Sequence, residues 1–179
     1  MRRWNMRALS IVPPQRGALL RATAKPWLAI LLVAPLAACG SSSPGPDAPL
    51  DCSKVTGVDQ YVAGLEKTGE SNMLDFKLLS AEPAPPMRDD NTWVVEISQM
   101  ANNVVGAPMD GLSLNVTPYM PAHQHGTPIE VVITPGSPSS GQYTLAPVNL
   151  WMPGIWQTTI VASMGSVNDQ AVYSFCIPD

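Results

Sequence analysis

Basic residues are scarce beyond position 39. All fourteen acids lie past it, against only Lys54, Lys67, Lys77 and Arg88, so the stretch 40–179 carries a net charge near −10. That balance argues against nucleic-acid binding, which needs basic patches, and is compatible with cation binding without demonstrating it. Catalytic signatures are missing too. There is no Gly-x-Ser-x-Gly, no phosphate-binding glycine loop and no His-Glu-x-x-His. Ser, His and Asp occur without triad spacing, and no set of three zinc ligands of a catalytic type stands out. Asp89-Asp90-Asn91 reads as an acidic turn. The chain is expected not to be an enzyme. No internal repeat is visible, and the one long apolar run, 27–36, falls short of the roughly 20 residues a membrane-spanning helix needs.

What is present begins with a leader. Arg2, Arg3, Arg7, Arg16, Arg21 and Lys25 precede the apolar run, and small residues follow it, which is the pattern of a secretory signal. The exit Leu36-Ala37-Ala38-Cys39-Gly40 resembles the bacterial lipoprotein lipobox. The resemblance implies lipidation of Cys39, which becomes the new N-terminus, with Gly40 similar to the outer-membrane sorting pattern. The alternative is an ordinary signal peptide with an incidental cysteine. Several acyl chains, at about 0.8 kcal/mol per buried methylene, hold a protein on a membrane surface. The expected organisation is a lipoprotein signal peptide over 1–38, a lipidated cysteine and Pro/Ser/Gly tether over 39–51, and a single domain over 52–179. The expected location is the periplasmic face of a membrane, the outer one by the sorting pattern.

Cys52 and Cys176 stand at the two ends of the domain. In an oxidising envelope they are expected to pair, closing a long loop worth up to about 5 kcal/mol in the chain-entropy model. The alternative is a pair of free or metal-binding thiols.

Within 52–179, a short helix or turn is expected over 58–67, where Val62 and Leu65 are three apart. Every later apolar segment has period two. Leu74, Phe76 and Leu78; Trp93, Val95 and Ile97; Leu112, Leu114 and Val116; Ile129, Val131 and Ile133; Tyr143 and Leu145; Trp156, Thr158, Ile160 and Ala162; and Ala171, Tyr173 and Phe175 each alternate with mostly polar neighbours. About seven half-buried strands, separated by Pro- and Gly-rich breakers, predict an all-β fold, an immunoglobulin-like antiparallel β-sandwich. Pro147 and Pro153 predict that 148–152 is an edge or an extended corner.

The candidate chemistry lies in Met120-Pro121-Ala122-His123-Gln124-His125-Gly126, which holds both histidines of the chain. Pro118 and Pro121 favour extended backbone over 120–125. In extended chain His123 and His125 share a face. Two imidazoles with a thioether nearby suit copper, since methionine sulfur selects Cu(I) and imidazole serves either oxidation state. Met120 and Met152 are the candidate thioethers, each preceding a proline. Against this stand a polar loop whose imidazoles make hydrogen bonds and methionines that merely fill space.

The motif Met-Pro-x-His-x-His-Gly, then Gly141-Gln142-Tyr143, then Asn149-Leu150-Trp151-Met152-Pro153-Gly154-Ile155-Trp156, resembles the YtkA-like domain, related to the FixH group, over 94–163. The resemblance implies a small immunoglobulin-like domain in an exported or membrane-attached protein, with Met120, His123, His125 and Met152 at the family's marked positions. The family does not itself establish a metal; copper is the cofactor that the imidazoles and thioethers suggest, and an interaction module of the envelope with a protein partner and no metal is the rival. Gly141 and Tyr143 read as a tight turn before an inward tyrosine whose hydroxyl bonds a loop carbonyl. Gly154 reads as a turn and Trp156 as core. Trp151 either covers the histidine loop or lies half exposed.

Overall fold

The computed structural model describes residues 50–179; the expected signal peptide, Cys39 and the expected tether up to residue 49 lie outside the described residues. A 3₁₀ turn at Cys52–Lys54 precedes ten strands. These are β1 (Leu65–Thr68), β2 (Leu74–Glu82), β3 (Asp89–Ala101), β4 (Val104–Pro108), β5 (Ser113–Met120), β6 (His125–Gly126), β7 (Val132–Pro135), β8 (Gln142–Leu150), β9 (Gly154–Met164) and β10 (Val167–Ile177). There is no α-helix among the described residues.

All pairings are antiparallel. One sheet runs β1-β2-β3-β8-β7, with β4 on the far half of β3; the other runs β10-β9-β5-β6. Stripped of β1 and β4, this is the immunoglobulin-like arrangement of two antiparallel layers. The period-two apolar residues face inward. Leu74, Phe76, Leu78, Trp93, Val95, Ile97, Leu145, Ile160 and Tyr173 are fully buried. Each such side chain contributes about 1.5–3 kcal/mol. Trp93 stands edge-on to Tyr173 and Phe175, with ring centroids at 6.2 and 5.6 Å, and so joins the two sheets.

Ten strands form where about seven are expected from periodicity. Of the short helix or turn expected over 58–67, the turn forms at residues 63–64, where Leu65 N–H donates to the Val62 carbonyl at 3.1 Å, and no helix does. Val62 is exposed, so its spacing from Leu65 marks no buried face, and Leu65 instead opens edge strand β1 against Leu78. The breaker at 106–108 belongs to β4, a strand exposed at every residue, which no alternation reveals. The strand expected over 129–133 is confined to β7, with Ile129 exposed. The segment 148–152 divides. Val148, Asn149 and Leu150 belong to β8 and pair with β3, whereas β7 pairs β8 only as far as Ala146, so beyond Pro147 the strand is an edge. The register shift between Asn91 and Trp93 absorbs Ala146 and Pro147 as a bulge, where proline is tolerated.

Candidate functional site

At one end of the sandwich, β3 and β9 start, β5 and β8 end, and the β5–β6 hairpin turns. The backbone over 120–125 is not extended, in contrast to the expectation from Pro118 and Pro121. β5 continues through Pro118 to Met120, and 121–124 form a turn. His123 N–H donates to the Met120 carbonyl at 3.2 Å and Gln124 N–H to the Pro121 carbonyl at 3.3 Å, with Gln124 at φ +55°. The prolines therefore close a hairpin instead of prolonging a strand. The histidines meet even so: His123 lies exposed in the turn, His125 sits half-buried in β6, and their ring centroids are 5.7 Å apart at 62°.

β6 registers His125 opposite Met120, which places both side chains on one face. That face points inward, and Met120 has no exposed surface. Its methyl group occupies the space a Cβ would take on Gly154, whose φ of +142° also favours glycine. His125 is bracketed by two indoles. Trp151 stacks on it at 5.2 Å and 26°, and Trp156 stands edge-on at 6.2 Å. The His125 Nδ1 lies 3.1 Å from the Gly126 carbonyl. An N–H at Nδ1 donating to that carbonyl leaves Nε2 with its lone pair free to bind.

Met152 is half-buried against the core, and its carbonyl accepts from Trp156 Nε1 at 2.8 Å. Trp156 itself is buried, as expected. The structure thus gathers His123, His125 and Met120 at the hairpin, with Met152 on the adjoining loop.

Several residues that hold this end together carried no signal in isolation. Arg88 Nε donates to the Trp151 carbonyl at 3.0 Å. Asn91, almost fully buried, accepts from Met87 N–H and donates to the carbonyls of Met87, Asp89 and Val148, pinning the loop that carries Arg88. Asn149 donates to Asp90 at 2.6 Å and accepts from Thr127 at 3.0 Å, tying β3 and β8 to the chain just past β6. Asn149 lay inside the motif; Arg88 is distinguished only as the sole arginine after residue 39.

The other marked residues are structural. Tyr143 is buried, its hydroxyl donating to the Met109 carbonyl at 2.9 Å and accepting from Leu112 N–H at 3.0 Å. Burial pushes its phenol above the usual range, which keeps the proton it donates. Gly141 has φ +60° and leaves no room for a Cβ, which would meet the Ile97 carbonyl at 2.6 Å. Cys52 and Cys176 form a disulfide with Cα atoms 5.6 Å apart. Cys176 registers opposite Ile155, so the bridge secures the domain's start beside the turn that carries Gly154.

Among the described residues, no three or more of His, Cys, Asp and Glu are placed to hold a metal. Any ion here would depend on the two imidazoles and methionine sulfur. With metal–nitrogen bonds of about 2.0 Å and roughly 1.2 Å from ring nitrogen to ring centre, two imidazoles on one ion have centres about 5–6.5 Å apart. The 5.7 Å spacing fits that range.

Fold and hairpin together define an all-β immunoglobulin-like domain with a histidine-bearing loop at one end. The sequence profile of the YtkA-like family matches residues 68–161, just over half of the chain, and the chain belongs to that family. No curated protein and no solved structure matches it.

Proposed function

We propose that the protein is a non-catalytic module of the bacterial envelope, anchored by lipid on Cys39 to the periplasmic face of a membrane, the outer one by its sorting pattern, and binding copper at the hairpin. His123 and His125 are the primary ligands, with Met120 and Met152 as thioether partners. The observation that carries this reading is the pair of imidazoles with ring centres 5.7 Å apart, with His125 Nδ1 against a backbone carbonyl. Such a bond to the outer ring nitrogen is what fixes a metal-binding histidine. The acidic net charge supports attraction of cations.

The test is titration of the purified protein in detergent with Cu(I) and Cu(II). Binding tighter than about 1 μM, lost in the His123→Ala/His125→Ala double variant, is expected. Weaker binding, or binding that the double variant retains, overturns the reading.

One observation favours a second reading. Met120 is wholly buried and filled in against Gly154, as a packing residue would be. On that reading the hairpin is a stabilised corner that presents a surface to another envelope protein. The double variant then loses stability with no metal dependence, and a partner copurifies from native membranes.

A further inference from the structure

Trp151 is an aromatic residue whose position core packing does not explain. It is 40% exposed, while Trp156 already fills the core beneath. Yet its indole lies nearly parallel to the His125 ring at 5.2 Å. The residue is not left to find this place by itself. Leu150 pairs with Asp89, and the Trp151 carbonyl accepts from Arg88. Arg88 forms no ion pair among the described residues, whereas Lys54, Lys67 and Lys77 are each paired with an acid. Its neighbour Asp89 takes φ +73°. A non-glycine residue enters that region at a cost of about 1–2 kcal/mol, offset here by the β3–β8 ladder and by Asn91.

From this geometry we infer that Trp151 is the specificity-determining residue of the hairpin site, its indole covering one face of the His125 imidazole so that the site prefers Cu(I) to Cu(II), with Arg88 as its positioning residue. The inference rests on the metal reading above. An ion held by His125 Nε2 would sit beside a ring one face of which the indole covers, which would leave fewer directions open to water. Cu(II) requires a tetragonal set of nitrogen and oxygen ligands, which a covered side denies it. A soft monovalent ion needs fewer ligands, accepts methionine sulfur and gains from an aromatic face in a partly desolvated position.

The experiment compares Cu(I) and Cu(II) affinities of the full chain in detergent, by competition with coloured chelators, for the parent, Trp151→Leu, Arg88→Ala and Arg88→Lys. Leucine keeps apolar cover without the π face. We expect the Cu(I)-to-Cu(II) affinity ratio to fall at least about tenfold in Trp151→Leu and in the same direction in Arg88→Ala, as loss of supporting contacts does at other metal sites. Arg88→Lys, which keeps a donor, restores the ratio. Cu(I) quenches tryptophan emission in the parent and loses most of that effect in Trp151→Leu. A merely structural role lowers stability and both affinities together and leaves the ratio unmoved. An unchanged ratio in a parent that binds copper overturns this assignment alone. A parent that binds neither ion overturns the metal reading and the assignment with it.

Discussion

Met120 rests its methyl group against the bare Cα of Gly154, and a side chain on Gly154 would collide with it. This contact joins the last residue of β5 to the first of β9, directly across the hairpin from His125. Gly154→Ala must both adopt a backbone at φ +142° and displace Met120. The expected cost is about 1–3 kcal/mol of stability, read by denaturant unfolding. A variant as stable as the parent would show that Met120 has room to move.

Tyr143→Phe tests the corner at the other end. The hydroxyl both donates to the Met109 carbonyl and accepts from Leu112 N–H. Phenylalanine leaves two backbone groups without their partner, for a loss of about 1–3 kcal/mol. Thermal or chemical unfolding measures it; a change below a few tenths would mean that water replaces the hydroxyl.

Those two residues also mark how far the sequence could be read. Gly141, Tyr143, Gly154 and Trp156 take the structural roles their motif suggests, because each role depends on local backbone or on period-two burial. The strands at Leu74, Trp93, Tyr143, Trp156 and Tyr173 were legible for the same reason, since one buried face imposes alternation. β4 was not, because all five of its residues are exposed and nothing selects between its faces. The hairpin at 121–124 is not legible in the sequence because proline restrains φ without fixing whether the chain continues or turns; the bonds from His123 and Gln124 decide that. Arg88, Asn91 and Thr127 act on residues about 20 to 65 positions away, at Trp151, Val148 and Asn149, and no local pattern encodes such partners.

The Cys52–Cys176 bridge spans 124 positions. A Cys52→Ala/Cys176→Ala variant is expected to lose up to about 5 kcal/mol in the chain-entropy model. Melting of the parent with and without reductant measures the same difference, which the variant should no longer show. Alkylation of the unreduced, unfolded protein should leave both cysteines unmodified.

Asp169 predicts an acid limb in stability. Burial raises its carboxyl, but N–H donors from Ser71, Leu74, Met73 and Gln170 outweigh burial and hold it below the ordinary 3.8. A depressed folded-state value means that the contribution is full above the unfolded value and is lost as pH falls through the folded one. The loss therefore develops below about pH 4. Asp75 acts in the opposite sense, because burial and then Glu66 raise its carboxyl and protonation relieves it. Comparing the parent with Asp169→Asn separates the two. The variant should be less stable by about 2–3 kcal/mol at neutral pH and should converge on the parent as pH falls below 4. Parallel curves would show that the four donors do not discriminate charge.

The two histidines are expected to behave unequally, because the fold gives them different surroundings. His123 lies exposed in the turn, and its ring meets only His125 among the aromatic contacts. His123→Ala should change stability by less than about 0.5 kcal/mol. His125 is half-buried between Trp151 and Trp156, and His125→Ala removes both ring contacts, for about 1 kcal/mol or more. Copper affinity should respond in the other proportion. If both imidazoles hold one ion, losing either removes half of the nitrogen set, and both single variants should weaken binding strongly despite their unequal stabilities. If the hairpin is a corner alone, only His125→Ala has a consequence, and adding copper moves the melting temperature of neither variant nor the parent. Measuring melting with and without Cu(I) across the parent and the two single variants therefore distinguishes the readings without reference to any activity.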